Sequence, residues 1–350
     1  MELRIRQLHL TFFGHEKCLH AIDLSATDGL TVLYGETGSG KTALLKCVAG
    51  INAYEGEITL DDVPIRYGKD GDVGMVFDDL ALFHRRSLWY NLTYPLRIRK
   101  VPKAEWESLL APVRKDWGLE KVIWENATFR TSESIRVRVA LARAMLTPRK
   151  VLLLDNPLCR LTPDERRQVF RMLAARLRQY PGVVVYSTDD VEEARALRAP
   201  MAVLSGGYLL AHDTPEAMAA ALPCVYVAKQ LIPFWRTIEG VAEGRTVHTD
   251  EGDMTANVPE AYEGKRVLLG VAPAACHATE DADGAYTAYN TMPADGKRYT
   301  ILTPHDCTTL GDYPIGTRLT IAFEGPMPVY DPATEWRVDE RTDPTKGETV

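Results

Sequence analysis

The pattern of hydrophobic and polar positions changes texture once along the chain. Residues 1–10, MELRIRQLHL, alternate with the period of two expected of a strand. Residues 30–34 (LTVLY), 151–154 (VLLL) and 183–186 (VVVY) are short continuous apolar runs, the pattern of strands buried on both faces. Between them, residues 43–49 (ALLKCVA), stopping at Gly50, and the charged stretch 163–179 have helical character. Strands alternating with helices predict an α/β domain with a largely parallel sheet over residues 1–221. From Leu222 onward, short β-rich runs (266–271 and 319–323) alternate with Gly, Asp and Pro turns. That texture predicts a small all-β domain over residues 222–341. A polar tail, 342–350, is expected to fray.

Composition narrows the classes. A chain of 350 residues has room for two cores, and its 45% hydrophobic and 25% charged content is that of an ordinary globular protein. A formal net charge of −7 excludes a general nucleic-acid binder. No apolar run reaches the length of a membrane span, and the N-terminus lacks the apolar core of a signal peptide. The six cysteines (18, 47, 159, 224, 276 and 307) are scattered without a C-x-x-C pair, which predicts reduced, mostly buried thiols in a cytoplasmic setting. Cys276-His277 and His305-Asp306-Cys307 could together supply four metal ligands, although their spacing is unlike the usual C-x₂₋₄-C.

Residues 35–42 read GETGSGKT. Gly35, Gly40, Lys41 and Thr42 complete the phosphate-loop pattern G-x-x-x-x-G-K-[ST], and the loop stands between an expected strand and an expected helix. Backbone N–H groups of Gly35, Glu36, Thr37, Gly38, Ser39 and Gly40 can turn inward around phosphates, aided by the helix N-terminus. Lys41 would reach the β- and γ-phosphates and the Thr42 hydroxyl would ligate Mg²⁺. The expected ligands are therefore ATP, or ADP, with Mg²⁺.

Further motifs carry a family resemblance. Residues 55–58 (EGEI), 73–77 (VGMVF) with 81–83 (ALF), 91–96 (NLTYPL), 138–144 (RVALARA), Gly206-Gly207 and 214–216 (TPE) stand in order along the first domain. Together with the phosphate loop they resemble the nucleotide-binding subunit of an ATP-binding-cassette (ABC) transporter of importer type. Residues 269–274 (LGVAPA) more modestly resemble the L-G-I-R-P-E of the TOBE-type, OB-like β-domain of such subunits. The resemblance implies a P-loop NTPase fold of ABC type with a C-terminal small all-β domain. It also implies integral-membrane permease partners, a homodimer or a heterodimer with another ABC subunit, and a place on the inner face of the cell membrane. The family's adenine-stacking aromatic falls on Phe13, for which a plain core position beside Phe12 is the alternative.

The same resemblance exposes departures. The family's L-L-L-D-E-P becomes Leu152-Leu153-Leu154-Asp155-Asn156-Pro157. Asp155 keeps the implied Mg²⁺ role, whereas Asn156 cannot take a proton as the family's Glu does. The Q-loop Gln becomes Asp78 and the switch His becomes Asp189. Asp78 could be an extra Mg²⁺ ligand or a relocated base. The signature L-S-G-G-Q becomes residues 131–135, TSESI, in which Ser132 is the expected helix N-cap and Glu133 brings a carboxylate. The D-loop Asp is lost at residues 159–162, CRLT. Arg85-Arg86 falls in the loop that would meet a permease, or is an ordinary basic loop. The expectation is a subunit that binds ATP·Mg²⁺ with impaired or absent hydrolysis. The alternatives are a pseudo-ATPase acting as a regulatory or structural partner and an active ATPase with relocated catalytic groups.

Overall fold

The computed structural model describes residues 1–11 and 17–338, with two short strands further on, Thr342–Asp343 and Glu348–Thr349. The chain divides into two compact units at Thr214/Pro215, earlier than the 221/222 boundary expected from texture.

The first unit contains two sheets. One is antiparallel, of strands β1 (Glu2–Thr11), β2 (Lys17–Thr27), β4 (Glu55–Leu60) and β5 (Val63–Pro64) in the order β2-β1-β4-β5. The other has six strands: β3 (Gly29–Tyr34), β6 (Val73–Val76), β7 (Val151–Asp155), β8 (Val183–Thr188), β9 (Met201–Ser205) and β10 (Tyr208–Asp213). Their order is β10-β9-β3-β8-β7-β6, and all neighbours are parallel except β9 and β10. The apolar runs 151–154 and 183–186 are its central strands, buried at every position as their sequence requires. The alternating N-terminal run is β1, whose Leu3, Ile5, Leu8 and Leu10 enter a shared core with Leu33, Leu44 and Leu153.

The helices are α1 (Lys41–Val48), α2 (Leu88–Ile98), α3 (Trp106–Asp116), α4 (Glu133–Leu146), α5 (Pro163–Leu177) and α6 (Val191–Leu197). Three begin on sequence-encoded caps. Ser87 Oγ accepts from Tyr90 N at 3.1 Å, and Glu165 reaches back to Thr162 N at 3.2 Å, with Pro163 at the first position of α5. Asp190 Oδ1 accepts from the backbone N–H groups of Glu192 and Glu193 at 2.8 and 3.2 Å. Asp190 is therefore the cap of α6, which leaves its neighbour Asp189 free to face elsewhere.

The second unit starts with α7 (Pro215–Ala221) and α8 (Val225–Leu231). Its β region is built as two five-stranded antiparallel sheets, each with its own apolar cluster, where the sequence suggested one small domain. The first sheet comprises β11 (Arg236–Glu243), β12 (Thr246–Thr249), β13 (Gly252–Thr255), β14 (Arg266–Val271) and β20 (Val329–Tyr330), ordered β13-β12-β11-β14-β20. The second comprises β15 (Cys276–Glu280), β16 (Tyr286–Ala294), β17 (Lys297–Thr303), β18 (Cys307–Leu310) and β19 (Arg318–Phe323), ordered β15-β19-β16-β17-β18. Thr342–Asp343 pairs antiparallel with Glu348–Thr349 where a frayed tail was expected. No helix among the described residues is long and apolar enough to cross a membrane.

Candidate functional site

The phosphate loop runs from the end of β3 into α1. Its glycines are sterically required at both ends. A Cβ on Gly35 would lie 2.2 Å from Leu204 O, and one on Gly40, at φ 106°, would lie 2.8 Å from Leu19 Cδ2. Lys41 is buried at 7% exposure, and its Nζ donates to Gly35 O (2.6 Å), Glu36 O (2.8 Å) and Ser39 Oγ (3.4 Å). Burial pulls its pKa down, opposed by the nearby carboxylates of Asp189, Asp155 and Glu36. The ammonium is thus held inside the curve of the loop, where its three acceptors can be exchanged for phosphate oxygens.

A cavity of about 460 Å³ opens over this loop. Of the residues expected from sequence, Thr37, Gly38, Gly40, Lys41, Thr42, Asp78, Asp155, Asn156 and Asp189 line it. They come from four separate strand ends, those of β3, β6, β7 and β8, as expected for a ligand crevice at the carboxyl edge of a parallel sheet. Gly35, Glu36 and Ser39 do not line it; they hold Lys41 by accepting from its Nζ. Phe13 lies outside the described residues.

Asp155 is 1% exposed. Its Oδ1 accepts from Thr42 Oγ1 and Ser187 Oγ, both at 3.0 Å, while its buried Oδ2 has no hydrogen-bond partner. Burial raises the carboxyl pKa, partly offset by those two hydroxyls. A buried carboxylate oxygen with no donor is costly unless a cation meets it, so Asp155 and Thr42 fit a divalent metal. Among the described residues no cluster of three or more His, Cys, Asp or Glu could hold a metal alone. A cation here would therefore be completed by phosphate oxygens and water. The same finding removes the Cys276/His277/His305/Cys307 metal site raised by the sequence: His277 instead pairs with Glu324 at 3.5 Å.

Asn156 adopts φ 38°, a left-handed conformation that Asn tolerates better than most residues. Its N–H donates to Ser187 Oγ at 3.0 Å, and its side-chain Oδ1 is buried without a partner. An amide at this point can orient a water but cannot remove its proton. Asp78 is exposed on the opposite wall, and its backbone carbonyl accepts from Arg160 Nε at 2.9 Å.

Asp189 stands at the edge of a charge network built on α5 and α6. Asp189 Oδ2 accepts from Thr37 Oγ1 at 3.5 Å, and its Oδ1 lies 4.0 Å from Arg166 Nη2. Arg166, on α5, also pairs with Asp190 at 3.7 Å and with buried Glu193 at 2.6 Å. Glu193 in turn accepts from Tyr186 and Thr188 hydroxyls at 2.6 and 2.9 Å. Arg166 is thus matched first by Glu193 and Asp190, and Asp189 keeps its negative charge at the cavity wall. Arg166 and Glu193 carry no recognisable motif, and only the packing of α5 and α6 against β8 makes them part of the site.

Ser132 and Glu133 do not line the cavity. Ser132 occupies the N-cap position of α4, but its hydroxyl makes no capping hydrogen bond, contrary to expectation. Glu133 is paired with Arg136 one turn on. Arg85-Arg86 sits just before α2, where Arg86 stacks its guanidinium over Tyr90 at 5.2 Å and its carbonyl accepts from Thr128 N at 3.0 Å.

Residues 19–159, spanning the loop, Asp78 and Asp155-Asn156, match the family model for the ABC transporter. The sn-glycerol-3-phosphate import ATP-binding protein UgpC of Bordetella avium is 32% identical over 280 residues, covering 77% of this chain and 77% of that protein. The chain belongs to the ABC transporter ATP-binding family. UgpC of Rhizobium meliloti is 29% identical over 289 residues, with 81% of this chain and 80% of that protein covered. A solved structure described as an ATP binding subunit of an ABC transporter superposes with TM-score 0.55 at 17% identity, over 63% of this chain and 93% of that one. CbiO1 from Clostridium perfringens, part of the cbiONQ complex, superposes with TM-score 0.55 at 23% identity, over 62% and 90%. These two likenesses support the P-loop fold of the family, in which a C-terminal all-β region follows here.

Proposed function

We propose that this chain is the nucleotide-binding subunit of an importer-type ABC transporter, and that it holds ATP·Mg²⁺ while hydrolysing it slowly or not at all. The relatives named as import ATP-binding proteins support the first part. Asn156, at the cavity position where the family carries its general base, is the observation that supports the second.

Residues 35–42 would cradle the phosphates, with Lys41 exchanging its loop carbonyls for phosphate oxygens. Thr42 and Asp155 would hold Mg²⁺, which supplies charge neutralisation to the phosphates. Phe13 would stack on the base. Asn156 would orient a water without activating it, Asp189 offers an acceptor where the family has a donor, and Asp78 adds negative charge. Ser132, which lies away from this chain's own cavity, would face nucleotide held by a second ABC subunit. In this reading the chain works in a homodimer or a heterodimer with another ABC subunit, docked on permease subunits at the inner membrane face, with residues 222–341 as a TOBE-like regulatory domain. No nucleic acid is expected as a partner.

Calorimetric titration tests the binding half. ATP·Mg²⁺ and ADP·Mg²⁺ should bind with similar affinity, because the α/β-phosphate cradle is complete and the γ-phosphate contacts are not. Lys41→Ala should weaken both by roughly tenfold or more, the loss of one charge-assisted contact. Unchanged affinity in that variant refutes the assignment of the loop. A second reading, an active ATPase with a relocated base, draws on Asp78 lining the cavity. It requires Mg²⁺-dependent turnover that Asp78→Asn abolishes.

A further inference from the structure

The second sheet of the C-terminal unit has β15 and β18 as its two edges. These edges nevertheless meet. Cys276 Sγ lies 3.1 Å from Cys307 Sγ, Thr309 Oγ1 donates to Cys276 O at 2.6 Å, and the Tyr313 hydroxyl donates to Ala278 O at 2.8 Å. No backbone ladder joins β15 to β18 among the described residues. The five strands are thus curled into a barrel whose seam is closed by side chains alone, with the two thiols on that seam.

Both thiols are buried, at 2% and 0% exposure, in a small core with Ala288, Leu302 and Leu319. Arg236 faces them, its guanidinium forked onto Glu251 by two hydrogen bonds of 2.6 Å. The two thiols share one proton-binding site, so that only one of them ionises, with the other thiol as its hydrogen-bond donor. The Arg236 cation faces both sulfurs and favours a thiolate on the pair against the cost of burial. The other four cysteines include the exposed Cys159 and the buried Cys47 and Cys224.

We propose that Cys276 and Cys307 are an oxidisable dithiol, and that their disulfide latches the seam of the barrel. The oxidant is hydrogen peroxide, a molecule small enough to enter by local opening of the seam. The thiolate of the pair attacks one peroxide oxygen, the O–O bond breaks, and the other oxygen leaves as hydroxide, giving a sulfenic acid. The second sulfur attacks that sulfenic sulfur, and the S–O bond breaks with loss of water. Two thiols and one peroxide thus yield one disulfide and two waters. The link closes residues 31 positions apart and ties two strands that share no backbone ladder.

The full-length chain, fully reduced and then treated with hydrogen peroxide, tests this. Thiol counting under denaturing conditions should fall from the six cysteines of the sequence to four. A peptide pair joining Cys276 to Cys307 should appear in a non-reducing digest, and the thermal midpoint should rise and return on reduction. Cys307→Ala should abolish the linked pair, and Cys276→Ala should do the same where the first variant folds poorly by circular dichroism. Cys159→Ser should leave the linked pair intact. Oxidation confined to Cys159 overturns the proposal. So does a two-thiol loss that persists in both alanine variants, or a disulfide that leaves the thermal midpoint unchanged.

Discussion

Asn156→Glu puts a carboxylate back where the family carries its general base, and the structure says why that alone restores little. The backbone at 156 has φ 38°, which Asn accepts and Glu resists, at a cost of about 1 kcal/mol. The new carboxylate enters a cavity already lined by Asp78, Asp155 and Asp189. Each unscreened like charge at ~4 Å costs ~4 kcal/mol at an effective dielectric of ~20, falling to ~2 kcal/mol at ~8 Å. A bound Mg²⁺ would screen Asp155, while Arg166 is matched by Glu193 and Asp190, which leaves Asp78 and Asp189 as the opposing charges. Their repulsion drives the introduced carboxyl upward in pKa, so the base is formed only as pH rises. A well-placed base is worth ~10²–10⁴ in rate, and residues acting as one unit are strongly non-additive. The single variant should therefore gain less than about tenfold. Joint reversion of positions 78, 131–135, 156 and 189 to the family residues should gain about 10² or more. The assay is Mg²⁺-dependent phosphate release between pH 6 and 9, with thermal unfolding as the control for strain. A single Asn156→Glu variant as fast as the joint revertant refutes the reasoning.

Two further outcomes follow from particular side chains. Asp72, 5% exposed, accepts from Arg66 Nη2 at 2.8 Å and pairs with Lys150 at 3.2 Å, and these cations hold its carboxyl well below the usual range. Its contribution is fully present above the unfolded pKa of about 4 and is lost as pH falls from there through its much lower folded value, so Asp72→Asn should unfold more readily at pH 7, by a gap that only begins to narrow near pH 3 and closes in stronger acid; a gap that stays constant as acid is added contradicts this. Arg143 on α4 donates to Leu80 O at 2.8 Å and Ala81 O at 2.9 Å, clamping a turn in which both residues have positive φ. Arg143→Ala should cost about 2–3 kcal/mol in thermal or urea unfolding and speed hydrogen exchange around Asp78, and unaltered exchange there would disprove the clamp.

Much of the first unit was legible because its signals are local. Continuous apolar runs became β3, β7 and β8, alternation became β1, and the charged stretch from 163 became α5. The phosphate loop was legible because only glycine fits at 35 and 40. The rest depends on which elements pack together. Arg166 reaches Asp189 from 23 positions away only because α5 lies beside the start of α6. The carboxylates at 78, 155 and 189 could be listed from sequence, but not that the nearby Arg166 is taken up by Glu193 and Asp190. The seam between β15 and β18 depends on sheet curvature, which no pattern along either strand encodes. Ser132 shows the reverse error, since a good capping residue at the right position makes no capping bond.

The most direct measurement is phosphate release by the purified full-length chain, made on a sample whose ATP·Mg²⁺ binding has been verified by titration. Saturable ATP binding with release at the level of the Lys41→Ala variant is the expected result. Robust Mg²⁺-dependent release that Lys41→Ala abolishes would contradict it, and would show that Asn156 does not stand in the way of turnover.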